Sequence, residues 1–136
     1  MERAEVLRFL GSNHRGVLAT YRRDATVQMS PVVAGVDHEG LVVISTREGA
    51  AKTANLRRDP RAGLVTFTDN FFGPWAMVWG TVEVVSLPAA LPLLEDYYRL
   101  VAGEHRDWSE YRRAMVAERR VLLRMTVAEA GPRRLG

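Results

Sequence analysis

The chain has 136 residues, a length that fits one domain with a sizeable core, and we expect residues 1–136 to form a single domain. The formal net charge of +3 favours an anionic partner but leaves open whether this is nucleic acid, a phosphorylated small molecule or an acidic membrane surface. The absence of cysteine excludes disulfides, thiolate zinc sites, iron–sulfur clusters and a cysteine nucleophile.

The N-terminus carries acidic residues where a signal peptide would be basic, and no apolar run approaches the ~18 residues of a membrane span. We therefore expect a cytoplasmic protein with no membrane partner. Of the 19 lysine and arginine residues only Lys52 is a lysine, which leaves 18 arginines. This bias is typical of a GC-rich genome, so most arginines are interpreted as solvated surface.

The first part of the chain predicts one helix followed by three strands. An apolar stripe between residues 6 and 10 predicts a helix over residues 2–11. The β-rich segments 16–22 and 26–37 predict a hairpin, and residues 41–46 predict a third strand. Short polar turns join these strands, which indicates an antiparallel meander.

From Arg47 to Asp59 the pattern is helical, and Pro60 ends it. The remaining segments predict, in order, a strand over 61–69, a strand over 75–86, a helix over 89–102, a helix ending at residue 119, a strand over 121–130 and a tail from residue 131. Six strands with flanking helices favour an α+β fold in which a six-stranded antiparallel barrel closes. Because so small a barrel has little interior room, we expect any ligand to lie outside it, between barrel and helices or between subunits.

The segment around residues 45–55 is the first candidate site. Thr46 is placed to cap the predicted helix, whose first-turn N–H groups and dipole favour a phosphate, and Arg47 would add charge. Lys52 and Asn55 are three residues apart and so share a helix face. A surface helix with an ordinary cap and a solvated lysine explains the same residues, but the single lysine favours a site that requires a compact ammonium.

Two strands carry further candidates. Pro31 interrupts the strand QMSPVVAG and cannot donate to a ladder, so it marks an edge, a bulge or a ligand-facing backbone. Trp75 and Trp79 alternate with Met77 on one strand face, which suits a planar ring but equally suits core packing.

The three histidines fall in predicted turns or helix ends, and neither a zinc site nor a Ser-His-Asp triad is supported. We assign no metal ligand and no catalytic residue. A nucleic-acid-binding barrel would need basic and aromatic residues interleaved on exposed strands, and these strands alternate apolar residues with few arginines. We therefore expect no nucleic-acid partner.

Taken in order, the segments SPVV, EGLVVISTREGAAKTANLRRDPRAGLV, MVWGTVEVV and RRVLLRMTV resemble the split-barrel flavin and deazaflavin oxidoreductases related to pyridoxamine phosphate oxidase. The resemblance spans about residues 4 to 128. It implies the FMN-binding split-barrel fold, a single cofactor-binding domain and a homodimer with the cofactor ring in a groove between subunits. It also implies the cofactor-binding residues, which are Ser30, Pro31, Val32, Val33, Ser45, Thr46, Arg47, Lys52, Asn55 and, less directly, Trp75 and Trp79.

Within that resemblance, residues like Ser45, Thr46 and Lys52 hold the cofactor phosphate and ribityl chain, and the backbone of residues 30–33 meets the ring. True pyridoxamine phosphate oxidases carry basic residues where this chain has Met29 and Ala34. The resemblance therefore favours the branch that uses coenzyme F420, a deazaflavin whose acidic tail would suit Arg57 and Arg58.

The function expected is hydride transfer from reduced F420 to a conjugated organic acceptor. The alternatives are an FMN-dependent oxidoreductase like pyridoxamine phosphate oxidase and a non-catalytic protein that binds flavin, deazaflavin or haem.

Overall fold

The structure, a computed structural model, describes residues 2–132. It has four helices and six strands in this part of the chain. In chain order they are α1 (Arg3–Ser12), β1 (Arg15–Tyr21), β2 (Val27–Val36), β3 (Val42–Arg47), α2 (Ala51–Arg58), β4 (Arg61–Phe67), β5 (Trp75–Val85), α3 (Ala90–Ala102), α4 (Trp108–Ala117) and β6 (Arg120–Gly131).

The six strands form a closed antiparallel barrel in the order β1-β2-β3-β6-β5-β4, with β4 returning to β1. This confirms the α+β split-barrel fold expected from the sequence. Strand β2 therefore lies across the barrel from β5. No helix among residues 2–132 is both long enough and apolar enough to cross a membrane.

Alternation along the strands fills the barrel interior with apolar side chains. Leu18 of β1, Leu64 of β4 and Leu123 of β6 are each at most 2% exposed and belong to one interior cluster. Val6 and Leu10 of α1, both 0% exposed, pack into the same cluster. The interior is thus occupied by side chains, and a ligand of appreciable size must lie outside the barrel.

A second apolar cluster joins the helical pair to the outside of the barrel. Leu94 and Tyr97 of α3 and Tyr111 of α4 pack against Val43 of β3 and Leu122 of β6. Helices α3 and α4 therefore cover the outer face of β3 and β6. Helix α3 also covers β2 near Gly35, which lies against Leu100 and Val101. Among the described residues, the outer face of β1, β4, β5 and residues 27–31 of β2 is left without a helix.

The predicted boundary between β3 and α2 is wrong. Strand β3 continues through Arg47, which pairs with Arg120 of β6, and α2 begins only at Ala51. Thr46 is therefore not the helix cap: it lies within β3, and the N-cap is Ala50, which makes no side-chain capping bond. Pairing with β6 along the whole of β3 overrides the local helix preference of residues 47–50. Of the predicted tail, Gly131 ends β6, and residues 133–136 lie outside the described part of the chain.

Candidate functional site

The barrel wall opens between β2 and β3. These strands pair only over Ala34–Val36 against Val42–Ile44, whereas β3 pairs with β6 over its full length. The Ala34 N–H donates to the His14 carbonyl oxygen at 2.7 Å, so by alternation the backbone groups of Val33 face away from β1 and toward the opening. Pro31 is two residues from Val33, so its backbone faces the same side, where proline has no N–H to donate. Pro31 therefore costs no ladder hydrogen bond, as expected for a strand facing a ligand or an edge.

The side chain of Tyr97 stands in this opening. Its hydroxyl donates to the Val33 carbonyl oxygen of β2 at 2.7 Å. The same hydroxyl accepts a hydrogen bond from the Ser45 backbone N–H of β3. Burial raises the pKa of Tyr97, and the Ser45 N–H partly opposes that shift. The Tyr97 hydroxyl thus occupies the place that a direct β2–β3 hydrogen bond would take, and it holds the strands apart.

A groove of about 850 Å³ extends from this opening between the barrel wall and helices α3 and α4. Its barrel side is formed by β1, β2, β3 and one residue of β4, and its helical side is largely aromatic. The residues that line the groove include Arg15, Val17, Pro31, Val32, Val33, Ser45, Thr46, Lys52, Phe67, Tyr97, Tyr98, His105, Tyr111, Met115 and Arg120.

One end of the groove is cationic. Lys52 is half-buried and has no ion-pair partner among residues 2–132, and it lies close enough to Arg120 for the two charges to repel. Burial lowers the pKa of Lys52, and the Arg120 charge lowers it further. Arg120 shares the carboxylate of Glu118, at 2.9 Å, with Arg47, at 3.4 Å, so the charge of Arg120 is only partly offset. This end of the groove is therefore positively charged and would be stabilised by an anion.

Helix stability does not account for the position of Lys52. It is the second residue of α2, where the positive end of the helix dipole disfavours a cation. The helix has no acidic residue in its first turn to offset this. A lysine placed against burial, the Arg120 charge and the dipole indicates a binding role.

The helical wall of the groove carries an aromatic cluster of Tyr98, His105 and Tyr111, and Trp108 packs on these rings from outside the groove. His105 stacks on Tyr111 with ring centroids 5.5 Å apart and an interplanar angle of 16°, and it meets the edge of Tyr98 at 5.0 Å. Asp107 caps α4 by accepting from the Glu110 N–H, which fixes the turn that carries His105. Burial raises the pKa of Tyr111 to about 12, and its hydroxyl donates to the Leu94 carbonyl oxygen at 2.8 Å.

Sequence reasoning missed two of these groove residues. Nothing in the sequence distinguishes Arg120 among the 18 arginines, and only its pairing opposite Arg47 brings it beside Lys52. His105 has no histidine or carboxylate partner at helical spacing, so the sequence assigns it no chemistry. The segment 105–111, with three aromatic residues and a helix cap, was the available signal, but its position beside β2 depends on the tertiary fold.

The structure brings six of the predicted binding residues together in the groove. They are Pro31, Val32, Val33, Ser45, Thr46 and Lys52. Ser30 does not line it: its side chain alternates to the barrel interior, where the buried hydroxyl has no hydrogen-bond partner among the described residues. Arg47 lies outside, 63% exposed, and pairs with Glu118.

Asn55 and its neighbours also lie away from the groove. Asn55 is 7% exposed, donates to the Thr20 hydroxyl at 3.1 Å and accepts from Arg58 at 3.0 Å, so it fastens α2 to β1. Arg57 pairs with Glu48 at 2.8 Å. The short helix turns Lys52 and Asn55 to different surroundings, even though they are three residues apart.

Neither tryptophan of β5 lines the groove within one chain. Trp79 packs on Gly63 and lines a separate depression beside Glu129. Trp75 pairs with Phe67, which does line the groove, and so stands one strand beyond its rim. The reason is topological, because β5 lies across the barrel from the opening between β2 and β3. Among residues 2–132, no group of three or more His, Asp or Glu side chains is arranged to hold a metal ion.

The family model described as pyridoxamine 5'-phosphate oxidase matches residues 3–133. The chain belongs to this family. Its members are flavin-binding oxidoreductases with the split-barrel fold, and that broad class of function extends to this chain. The finer assignment of cofactor and acceptor depends on the groove.

Solved structures share the fold at low sequence identity. A conserved hypothetical protein from Mycobacterium tuberculosis is 22% identical, with a TM-score of 0.76 over 100% of this chain and 92% of that one. A protein described as an F420 reductase is 19% identical, with a TM-score of 0.70 over 91% and 94% of the two chains. An FAD-binding protein from Mesorhizobium loti is 16% identical, with a TM-score of 0.68 over 96% and 92%. At these identities the likeness shows the fold alone.

Proposed function

We propose that the groove binds reduced coenzyme F420 and that the protein transfers hydride from it to a conjugated organic acceptor. The observation that carries this proposal is Lys52. Its half-buried ammonium has no carboxylate partner among the described residues, and it faces Arg120 at one end of a groove of about 850 Å³. An anionic group between these two cations would offset both burial and repulsion.

The residues of the groove fit a planar cofactor that carries a phosphate. A volume of about 850 Å³ lies within the range of small-molecule sites, roughly 300–1,000 Å³. Lys52, Arg120 and the hydroxyls of Ser45 and Thr46 would hold the phosphate end. The Pro31 carbonyl and the Val33 N–H, which face the opening by alternation, would meet the polar edge of the ring, and Val17 and Phe67 supply apolar surface.

Hydride donation is the chemistry that such a cofactor supplies when it is bound. The chain's own residues bind, orient and exclude water. Tyr97 keeps β2 and β3 apart so that the Val33 backbone stays accessible, and the cations fix the phosphate. No carboxylic acid among residues 2–132 lines the groove, so we expect the proton that accompanies reduction to come from water.

One observation favours F420 over the oxidase reaction. The positions that are basic in true pyridoxamine phosphate oxidases hold Met29, whose side chain points outward and is 66% exposed, and Ala34, which is 0% exposed in the core. Neither can bind a substrate phosphate.

FMN is the second candidate cofactor. The family description and the FAD-binding neighbour favour a flavin, and one phosphate between Lys52 and Arg120 suits FMN equally well. Arg57 and Arg58, which we expected to attract the acidic tail of F420, are engaged by Glu48 and Asn55 and do not line the groove. The tail would therefore extend past Arg15, whose only ion pair in the described chain is an exposed one with Asp69 at 3.4 Å.

We further propose that the functional unit is a homodimer formed through the uncovered barrel face. Outward side chains form an apolar row across four strands, in the register Pro31, Val17, Val65 and Met77. The neighbouring row begins with Met29 and ends with Trp79, and Phe71 and Phe72 at the next turn are 71% and 93% exposed. This face borders the groove, so a second copy would close the groove's open side and bring Trp79 toward the partner's site.

The deciding experiment mixes cofactor-free protein with F420 or FMN and measures each affinity by fluorescence. Oxidation of the reduced cofactor is then measured anaerobically in the presence of a panel of conjugated ketones and quinones. F420 binding with acceptor-dependent reoxidation supports the proposal. Binding of FMN but not F420 would support the second candidate cofactor. Binding of either cofactor without turnover would indicate a carrier. Binding of neither F420 nor FMN refutes the proposal.

A further inference from the structure

We propose that the aromatic wall of the groove is the acceptor subsite, where His105 donates a hydrogen bond from Nε2 to the carbonyl oxygen of a planar conjugated ketone or quinone. This inference rests on the proposed oxidoreductase function, because it names the acceptor class and the side chain that recognises it. It concerns the helical wall of the groove and side chains other than Lys52 and Arg120.

The hydrogen bonding of His105 fixes which ring nitrogen can donate. The Asp107 backbone N–H donates to His105 Nδ1 at 2.9 Å, so Nδ1 is the acceptor nitrogen. The neutral ring therefore carries its proton on Nε2. No described residue accepts a hydrogen bond from Nε2, and His105 lines the groove. A donor without a partner is thus held in a mainly apolar wall.

The orientation of the ring is fixed as well as its tautomer. Tyr111 stacks on it at 16°, and Tyr98 and Trp108 contact it at centroid distances of 5.0 and 5.7 Å. Tyr111 is itself held by its hydrogen bond to the Leu94 carbonyl. Donors held in place before the ligand arrives stabilise developing charge more than mobile ones.

The surroundings of His105 select the ligand class. Tyr98, Tyr111, Ala114 and Met115 line the same wall, and aromatic and thioether side chains favour a flat, polarisable ligand. A single N–H donor on such a wall suits one carbonyl oxygen. An anionic acceptor is better matched to Lys52 and Arg120, which the cofactor phosphate would occupy.

The neutral ring also defines the chemical role. Hydride adds to the β-carbon of the acceptor, the π-electron pair of its C=C bond moves toward the carbonyl, and negative charge develops on the oxygen. The His105 N–H stabilises that oxygen, and water supplies the proton that completes the two-electron reduction. With Nδ1 accepting from the Asp107 N–H, His105 acts through Nε2 as an electrophilic hydrogen-bond donor.

The test compares naphthoquinone with naphthalene, its analogue without carbonyl oxygens, on cofactor-free protein. His105→Phe keeps an aromatic ring but removes the N–H, and we expect a roughly threefold to tenfold loss of naphthoquinone affinity with naphthalene affinity unchanged. His105→Gln, which restores an N–H donor, should recover part of the loss. His38→Phe, at an exposed turn outside the groove, is the matched control and should change neither affinity.

A second measurement uses only the wild-type protein, so it does not require the variants to fold. In wild-type protein with isotope-labelled histidine, naphthoquinone should shift the Nε2–H resonance of His105 and naphthalene should leave it unmoved. Equal loss of both ligands in His105→Phe, or an unmoved resonance, overturns the inference. Failure of F420 and FMN to bind while naphthoquinone still shifts His105 refutes the proposed function and leaves the ligand class of this wall standing.

Discussion

Replacing Lys52 tests the cationic end of the groove, because the structure predicts opposite effects on binding and on stability. Lys52→Met removes the charge and keeps a flexible side chain of similar length. If the ammonium makes a charged hydrogen bond to the cofactor phosphate, its loss costs about 1.5–3 kcal/mol, which is roughly a tenfold to 150-fold weaker affinity.

The same substitution should not destabilise the cofactor-free protein. Burial and the Arg120 charge both lower the pKa of Lys52, which means that the folded state disfavours the charged form. Lys52 also opposes the dipole of α2. We therefore expect the free energy of unfolding of Lys52→Met to equal or exceed that of the wild type.

Urea unfolding of the cofactor-free proteins and fluorescence titration with F420 and FMN measure the two effects separately. Arg8→Met is the matched control, since Arg8 is an exposed cation on α1 away from the groove, and its loss should leave affinity within twofold. Lys52→Arg should retain part of the affinity, because a guanidinium keeps the charge but not the compact shape. A Lys52→Met protein that binds as tightly as the wild type, or one that unfolds more easily, refutes this reasoning.

Three other predictions address Tyr97, Tyr111 and Met29. Tyr97→Phe removes the hydroxyl that donates to the Val33 carbonyl, so unfolding should become easier by about 0.5–1.5 kcal/mol, the net contribution of one hydrogen bond, and cofactor affinity should fall. An unchanged affinity in titration would show that this tyrosine does not shape the groove. Tyr111 has a folded pKa raised from 10.0 to about 12, so its stabilising effect is complete below pH 10 and is lost as pH rises toward 12, by on the order of 2 kcal/mol. Urea unfolding against pH should show that decline in the wild type, and a decline equally steep in Tyr111→Phe would contradict it. Met29→Glu places a charge on the uncovered barrel face, so light scattering should show a monomer where the wild type is a dimer, and a monomeric wild type would remove the dimer proposal.

Local patterns were sufficient to predict the strands of the barrel. Alternating burial in β5, with Ala76, Val78 and Val82 inside and Met77 outside, follows from the two-residue period of a strand. Pro31 correctly indicated a strand with one backbone side free of ladder bonds. These features depend on residues close in sequence, which is why they could be predicted.

The site was predicted less completely, because it depends on pairing between distant segments. The length of β3 is set by β6, some 75 residues later, so the start of α2 could not be read from residues 47–50. The proximity of Lys52 to Arg120 also depends on the pairing of β3 with β6, so it could not be predicted from the sequence. The opening itself depends on Tyr97, which reaches Val33 across 64 residues of sequence. Trp79 lies outside the groove of its own chain because a strand's position around the barrel follows from strand order.

The most direct test of the account is a crystal structure of the protein grown with F420 or FMN. The account predicts a cofactor phosphate within hydrogen-bond distance of Lys52 Nζ and Arg120, with the ring edge against the backbone of Pro31–Val33 and one ring face toward His105. A ligand bound elsewhere, or one in the groove with its phosphate away from both cations, would contradict it.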